Sequence, residues 1–149
     1  MMGVIKANAY GSLIEVIANK LIALGIEALA VAYVSEGVAL RKAGIKVPIL
    51  VFYPQISNFE KIIKYKLEPA IYSKRSWLEF KKIIGKNGNS NYPIHIKYNT
   101  GLNRIGFNPN EINWVIAELK NSPIRLKSIY SHLGATEAKR PDQKTDLQI

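Results

Sequence analysis

The chain has 149 residues, 48% hydrophobic and 21% charged, which is enough for one domain core and too apolar for a disordered tail. With no cysteine, disulfide scaffolds, thiolate metal sites and cysteine nucleophiles are excluded, and the two histidines, His95 and His132, lack the spacing of a zinc site. Lys+Arg 21 against Asp+Glu 11 gives a formal charge of +10, but the basic residues are spread along the chain without a nucleic-acid-binding signature, so a lysine-rich solvated surface is expected and nucleic acid is not an expected partner.

In chain order, residues 3–7 form the first candidate strand. A helix over 12–24 follows, with Leu13, Ile17, Leu21 and Leu24 on one face and Gly25 as its stop. Strands are expected at 28–32 and 48–52, separated by a helix that Ser35 starts and Gly44 ends. Ser57-Asn58-Phe59-Glu60 reads as a capping box before Ile62 and Ile63, ahead of a strand at 68–72 and a helix from Ser73 to Gly85. After a strand at 93–98, Asn108-Pro109-Asn110-Glu111 offers an N-cap, a proline at the first helical position and a capping acid. Ile112, Val115, Ile116 and Leu119 continue that helix, and 127–131 is the sixth strand.

The runs are continuous rather than alternating, which predicts parallel strands covered on both faces. Strand–helix alternation at roughly 25 residues per unit implies a doubly wound sheet or a β/α barrel. The first would carry a Gly-rich phosphate turn after its first strand, and Ala7-Asn8-Ala9-Tyr10-Gly11 is neither of the known glycine patterns. The expectation is therefore α/β, an incomplete (β/α)8 barrel with about six of eight units, since a whole one takes about 250 residues. The longest apolar stretches, such as 48–53, are too short to span a bilayer, and Glu15, Asn19 and Lys20 interrupt the secretory-like 13–24, so a cytoplasmic chain without a membrane partner is expected.

In a β/α barrel the chemistry gathers at the carboxyl ends of the strands. Lys6 stands there where Val or Ile would be ordinary. Apolar surroundings disfavour an ammonium, which makes such an amine a Schiff-base former, though a strand-end lysine can also simply reach solvent. His95 and Lys97, two apart, point to the same side of the fifth strand, and a lysine in the interior needs an anionic partner or a covalent modification. Arg104 follows the turn Asn99-Thr100-Gly101, placed to reach back, and His132 closes the sixth strand, where backbone hydrogen bonding would also account for it.

Val4-Ile5-Lys6-Ala7-Asn8-Ala9-Tyr10-Gly11 resembles the cofactor-lysine motif of the alanine racemases, pyridoxal-phosphate enzymes with an N-terminal β/α barrel and a C-terminal β domain. His95-Ile96-Lys97-Tyr98-Asn99-Thr100-Gly101-Leu102-Asn103-Arg104-Ile105-Gly106 is similar to the family's K-x-D-T-G-M-x-R-x-G block, and Ser131-His132-Leu133 to its T-H-F or S-H-L block. The likeness runs from residue 3 to about residue 149. Ala32-Tyr33 before Glu36-Gly37, with Ser131-His132-Leu133, further resembles racemase domains fused behind a muramoyl-peptide ligase.

The resemblance implies that Lys6 forms the internal aldimine with pyridoxal 5'-phosphate and serves as a catalytic base. It implies that Tyr10 binds the cofactor phosphate, Arg104 the phenolic oxygen of the ring, and that His132 belongs to the network beneath the ring. Lys97 matches a position carbamylated in many members, and a carbamate facing Arg104 would turn two like charges into a charge-assisted pair. No metal is implied. Departures are Ser12-Leu13 where the family has His-Gly, Asn99 for aspartate and Leu102 for methionine.

What the resemblance implies as a whole is alanine racemisation for peptidoglycan in a homodimer, with 1–149 as a partial N-terminal barrel domain, inactive alone. The last two barrel strands and the C-terminal β domain, with its tyrosine base, would be absent. Two rival expectations are a non-catalytic pyridoxal-phosphate-binding barrel protein and a basic nucleic-acid-binding α/β domain.

Overall fold

In a computed structural model of the chain, the described residues are 1–88, 90–134, 143–146 and 148. They form two compact units, 1–70 and 71–149.

The first unit is a parallel sheet of β1 (Met2–Val4), β2 (Ala28–Val31), β3 (Ile49–Val51) and β4 (Glu68–Ile71), the last ending one residue past the unit boundary. Gly3 pairs with Leu29, Ala30 with Leu50, and Leu50 with Glu68, so successive strands lie side by side. Between them run α1 (Lys6–Gly11), α2 (Ile14–Ala23), α3 (Val34–Lys42) and α4 (Phe59–Lys64), the last entered through a 3-10 turn at Ile56–Asn58. Every residue of β3 and β4 is buried, as the continuous apolar runs predict for strands covered on both faces.

Three helices of this unit end by one device. Gly25 and Gly44 take positive φ of 88° and 85°, and the amide after each reaches back to the carbonyl five residues earlier, Ile26 to Leu21 and Ile45 to Leu40. α4 ends in the same way with Lys66 at φ 50° and Leu67 bonded to Ile62, so a lysine occupies the position glycine takes in the other two. Arg41 joins two of these ends. Its guanidinium donates to the carbonyls of Ile45 and Val47, both at 2.8 Å, and to those of Tyr65 and Lys66 at 3.1 and 3.0 Å.

The second unit holds α5 (Lys74–Lys86), β5 (Tyr92–Lys97), a 3-10 turn (Pro109–Glu111), α6 (Ile112–Lys120), β6 (Ile124–Tyr130) and α7 (Gln143–Asp146). β5 and β6 are parallel, with a register shift between Ile94 and His95. Trp77 on α5 is fully buried, and its indole N–H donates to Glu118 on α6 at 2.8 Å, where Lys81 also binds.

All six expected strands form, and several details differ. β1 stops at Val4, and β6 begins at Ile124, three residues earlier than the apolar run, because Arg125 and Leu126 pair with Pro93 and Ile94 in alternating rather than continuous polarity. β6 is also mostly exposed, with Ile129 at 57%. On α2 the buried residues are Ile14 and Ala18. Leu13 and Leu24, expected to face inward, flank the helix as its caps and are each 70% exposed, so helical periodicity does not reach them. Ser73 caps α5 through the amide of Ser76, but Gly85 stays helical and Gly88, at φ 62°, takes the left-handed position. The Ser57 capping box does not form, because Ser57 lies inside the 3-10 turn.

Candidate functional site

Immediately after β1 the chain does something the apolar pattern does not foretell. Ala7, Asn8, Ala9 and Tyr10 all sit at φ between 51° and 57° with ψ between 40° and 50°, and Gly11 follows at φ 93°, so α1 is one turn of left-handed helix. For L-residues this costs roughly 1–2 kcal/mol each, and only strong local restraint holds four in succession. Several bonds supply it. Ile5, 2% exposed, anchors the turn by donating to Ala30, and its carbonyl accepts from Ala9 at 3.1 Å. The Asn8 side chain accepts from the Ile14 amide at 3.3 Å, and the Glu36 carboxylate accepts from the Ala7 amide at 2.6 Å.

Lys6 heads this turn, half-buried, and Tyr10 ends it, 67% exposed. They stand one turn apart on a single short, restrained segment: an amine that can condense with an aldehyde and a phenol that can donate to an anion. The end of β1 thus places Lys6 two residues beyond the strand rather than within it.

In the second unit, β5 and β6 carry a two-layer polar ladder. His95 lies opposite Ser128 and Lys97 opposite Tyr130, and both layers face the same side because each pair is two residues from the other. His95 Nδ1 and Ser128 Oγ share a hydrogen bond of 2.6 Å. Lys97 is 5% exposed, with its ammonium 5.1 Å from the Tyr130 ring centroid. Burial first, and then the charge of Arg104, push the Lys97 pKa below the ordinary lysine range. Burial likewise raises that of Tyr130 well above the ordinary phenol range, partly opposed by Arg104.

Arg104 is held by a loop that leaves the end of β5 and returns to it. The Phe107 amide donates to Lys97 and the Asn99 amide to Phe107, both at 2.9 Å. Gly106 closes the return at φ 131°, where a Cβ would lie 2.8 Å from the backbone of both Tyr98 and Asn99, so a side chain is shut out by main chain. Within the loop Asn99 Oδ1 accepts from the amides of Gly101 and Asn103 at 3.2 and 3.0 Å, while its Nδ2 donates to Asn103 and Asn108. An aspartate would keep the two acceptor bonds and lose both donor bonds, which is what the Asn99 departure changes. Ser131, next to His132, donates to the Tyr98 carbonyl at 2.8 Å and bonds Thr100 at 2.7 Å, tying the third motif to the second; His132 itself is exposed.

The structure thus gathers Lys97, Arg104 and Tyr130 around one buried cation in the second unit, and sets Lys6 and Tyr10 on one turn in the first. Sequence reading missed Tyr130 and Ser128, whose strand residues look ordinary until paired with β5. It also missed the bonding of Glu36, whose only signal was its place three residues after Tyr33, at the start of a helix.

The family described as "Alanine racemase, N-terminal domain" matches residues 1–149. "Alanine racemase 1" of Clostridium acetobutylicum is 37% identical over 140 residues, covering 92% of this chain and 36% of that protein. Among solved structures, the alanine racemase of Clostridium difficile 630 superposes with a TM-score of 0.90 at 33% identity, over 99% of this chain and 39% of its own. The same enzyme in complex with cycloserine gives 0.89. The α/β fold is thus that of the N-terminal part of these enzymes, and the chain spans little more than a third of the length of the relatives it matches.

Proposed function

The chain belongs to the alanine racemase N-terminal domain family, and from that premise we propose that residues 1–149 are the cofactor-lysine part of a pyridoxal-phosphate-dependent alanine racemase. The observation that carries this reading is the left-handed turn that presents Lys6 and Tyr10 together. On the first unit, the Lys6 amine suits the aldehyde of pyridoxal 5'-phosphate and the exposed Tyr10 phenol suits its phosphate; the family likeness is the ground for proposing Arg104 for its phenolic oxygen and His132 for the network beneath the ring.

When bound, that cofactor supplies an electron sink for the pair left behind as a Cα proton departs. Lys6 holds the cofactor and then takes or returns the Cα proton on one face of the substrate. Inverting the centre requires a base on the other face, a role proposed for a tyrosine in the C-terminal β domain of a partner subunit in a homodimer. Alanine is the proposed substrate, and D-alanine for peptidoglycan, made in the cytoplasm, the proposed product. Among the described residues no helix is long and apolar enough to cross a membrane.

Lys97 is proposed to be carbamylated. Its neutral amine adds to CO2 and releases a proton, replacing a buried cation beside Arg104 by an anion that orients the guanidinium. Intact mass at neutral pH should show one added CO2 that Lys97→Met abolishes; a chain never found with the increment removes that assignment.

The main test is attachment of pyridoxal phosphate to the chain, fixed with borohydride and mapped by peptide mass. Lys6 is expected to be labelled well ahead of the surface lysines. If Lys6→Ala leaves the extent of labelling and its visible absorbance unchanged, the reading is wrong.

A further inference from the structure

Glu36 places its carboxylate where three backbone segments meet. One oxygen accepts from the Ala7 amide at 2.6 Å, and the other accepts from the amides of Ala32 and Tyr33 at 2.8 and 2.9 Å. Ala32 follows β2, Tyr33 is the N-cap of α3, and Ala7 belongs to the peptide joining it to Lys6. Glu36 sits in the first turn of α3, where the helix dipole favours a negative charge. No ion pair involving it occurs among the described residues, so its acceptor capacity goes to main-chain donors. Hydrogen bonds to an ionised acceptor are shorter and stronger than neutral ones.

The Lys6–Ala7 peptide is the entrance to the left-handed turn. The other restraints act further along it, through Asn8 and Ala9, or before it, through Ile5. Ile5 ties the residue before the turn to Ala30 of β2, and among the bonds described Glu36 alone ties the Lys6–Ala7 peptide itself to the neighbouring β/α unit. With it gone, Ala7 can relax from φ 52° towards the ordinary right-handed or extended regions, and Lys6 turns with it.

We infer that Glu36 is a positioning residue for Lys6: it fixes the peptide after the lysine and thereby aims the amine, acting through the backbone and touching no reactant. This inference rests on the reading of Lys6 given above and deepens it. Glu36→Gln is the informative variant, because it keeps shape and one acceptor oxygen but sets an NH2 group against amide donors.

Two measurements on the whole 149-residue chain test it. The first is borohydride-fixed labelling by pyridoxal phosphate at Lys6 relative to the exposed Lys20 and Lys82, which serve as internal references for general amine reactivity. Glu36→Gln should lower the Lys6 ratio at least about tenfold while Lys20 and Lys82 react as before; a merely structural loss would leave the ratio between lysines of a folded chain unchanged. The second is amide hydrogen exchange at Ala7 to Tyr10, which needs no cofactor and should quicken by a similar factor, with exchange in β3 unchanged. An undiminished Lys6 ratio, or unaltered exchange at Ala7, overturns the role of Glu36 and leaves the Lys6 reading standing. If the parent chain shows no preference for Lys6 at all, the Lys6 reading fails and this inference fails with it, whatever the exchange shows.

Discussion

Lys97 is a cation in a place that disfavours one, and its effect on stability has a definite sign. Burial, then Arg104, lower its pKa in the folded chain, whereas in the unfolded chain it titrates near 10.5. Between those two values the unfolded state binds more protons, so stability rises with pH across that window and the buried charge is a burden below it. In CO2-free buffer, Lys97→Met should therefore raise the melting temperature at pH 7, and the advantage should shrink as pH climbs towards 10.5 and beyond. A constant difference from pH 7 to 11 would contradict this. Gly106 gives the opposite case. An added methyl meets main chain at 2.8 Å and a φ of 131° that L-residues rarely adopt, so Gly106→Ala should cost at least about 2 kcal/mol in denaturant unfolding. Much of the candidate site was legible as residue types at motif spacings. Tyr130 and Glu36 were not, because a cross-strand partner and a carboxylate shared by three amides exist only once the chain has folded.

At the scale of elements, the helix endings invite a direct comparison. α2 and α3 stop on glycine and α4 on Lys66, at φ 50°, in the same hydrogen-bonding pattern. Lys66→Gly should remove the left-handed penalty of a side chain and stabilise the first unit by about 1 kcal/mol, read as a shift in urea midpoint. Its carbonyl bond from Arg41 involves main chain and would persist. The stops at Gly25 and Gly44 and the Ser73 cap were visible in the sequence because they depend on a single residue's backbone freedom or side chain, whereas Gly85 stays helical and the left-handed position falls to Gly88. The Ser57 box and the inner face of α2 misled, since each depends on where a helix begins, and a 3-10 turn at Ile56 or a cap at Leu13 shifts that start.

At the scale of the molecule, six strands in the expected order made the α/β class readable from run length and glycine punctuation alone. The left-handed turn was hidden, since Ala7, Ala9 and Tyr10 have no intrinsic reason to leave the right-handed region, and the bond that holds Ala7 comes from Glu36, 29 residues away. The chain covers 36% of a relative 37% identical to it. The expected consequence is that it binds pyridoxal phosphate at Lys6 yet racemises alanine no faster than the cofactor free in solution. Exchange of the alanine Cα proton with deuterated solvent, followed by chiral chromatography, checks this, and turnover above that background would show that a second base lies within residues 1–149.

The turn after Lys6 also bears on stereochemistry. Dihedrals near +52° and +50° are strained for an L-residue and relaxed for its mirror image. A semisynthetic chain with D-alanine at position 7 should keep the bond to Glu36, because the backbone path is unchanged, and gain about 1–2 kcal/mol. A lower melting temperature would show that the exposed methyl of Ala7 matters more than its handedness. In a chain proposed to help make D-alanine, the segment bearing the lysine already follows the backbone path that D-alanine would choose.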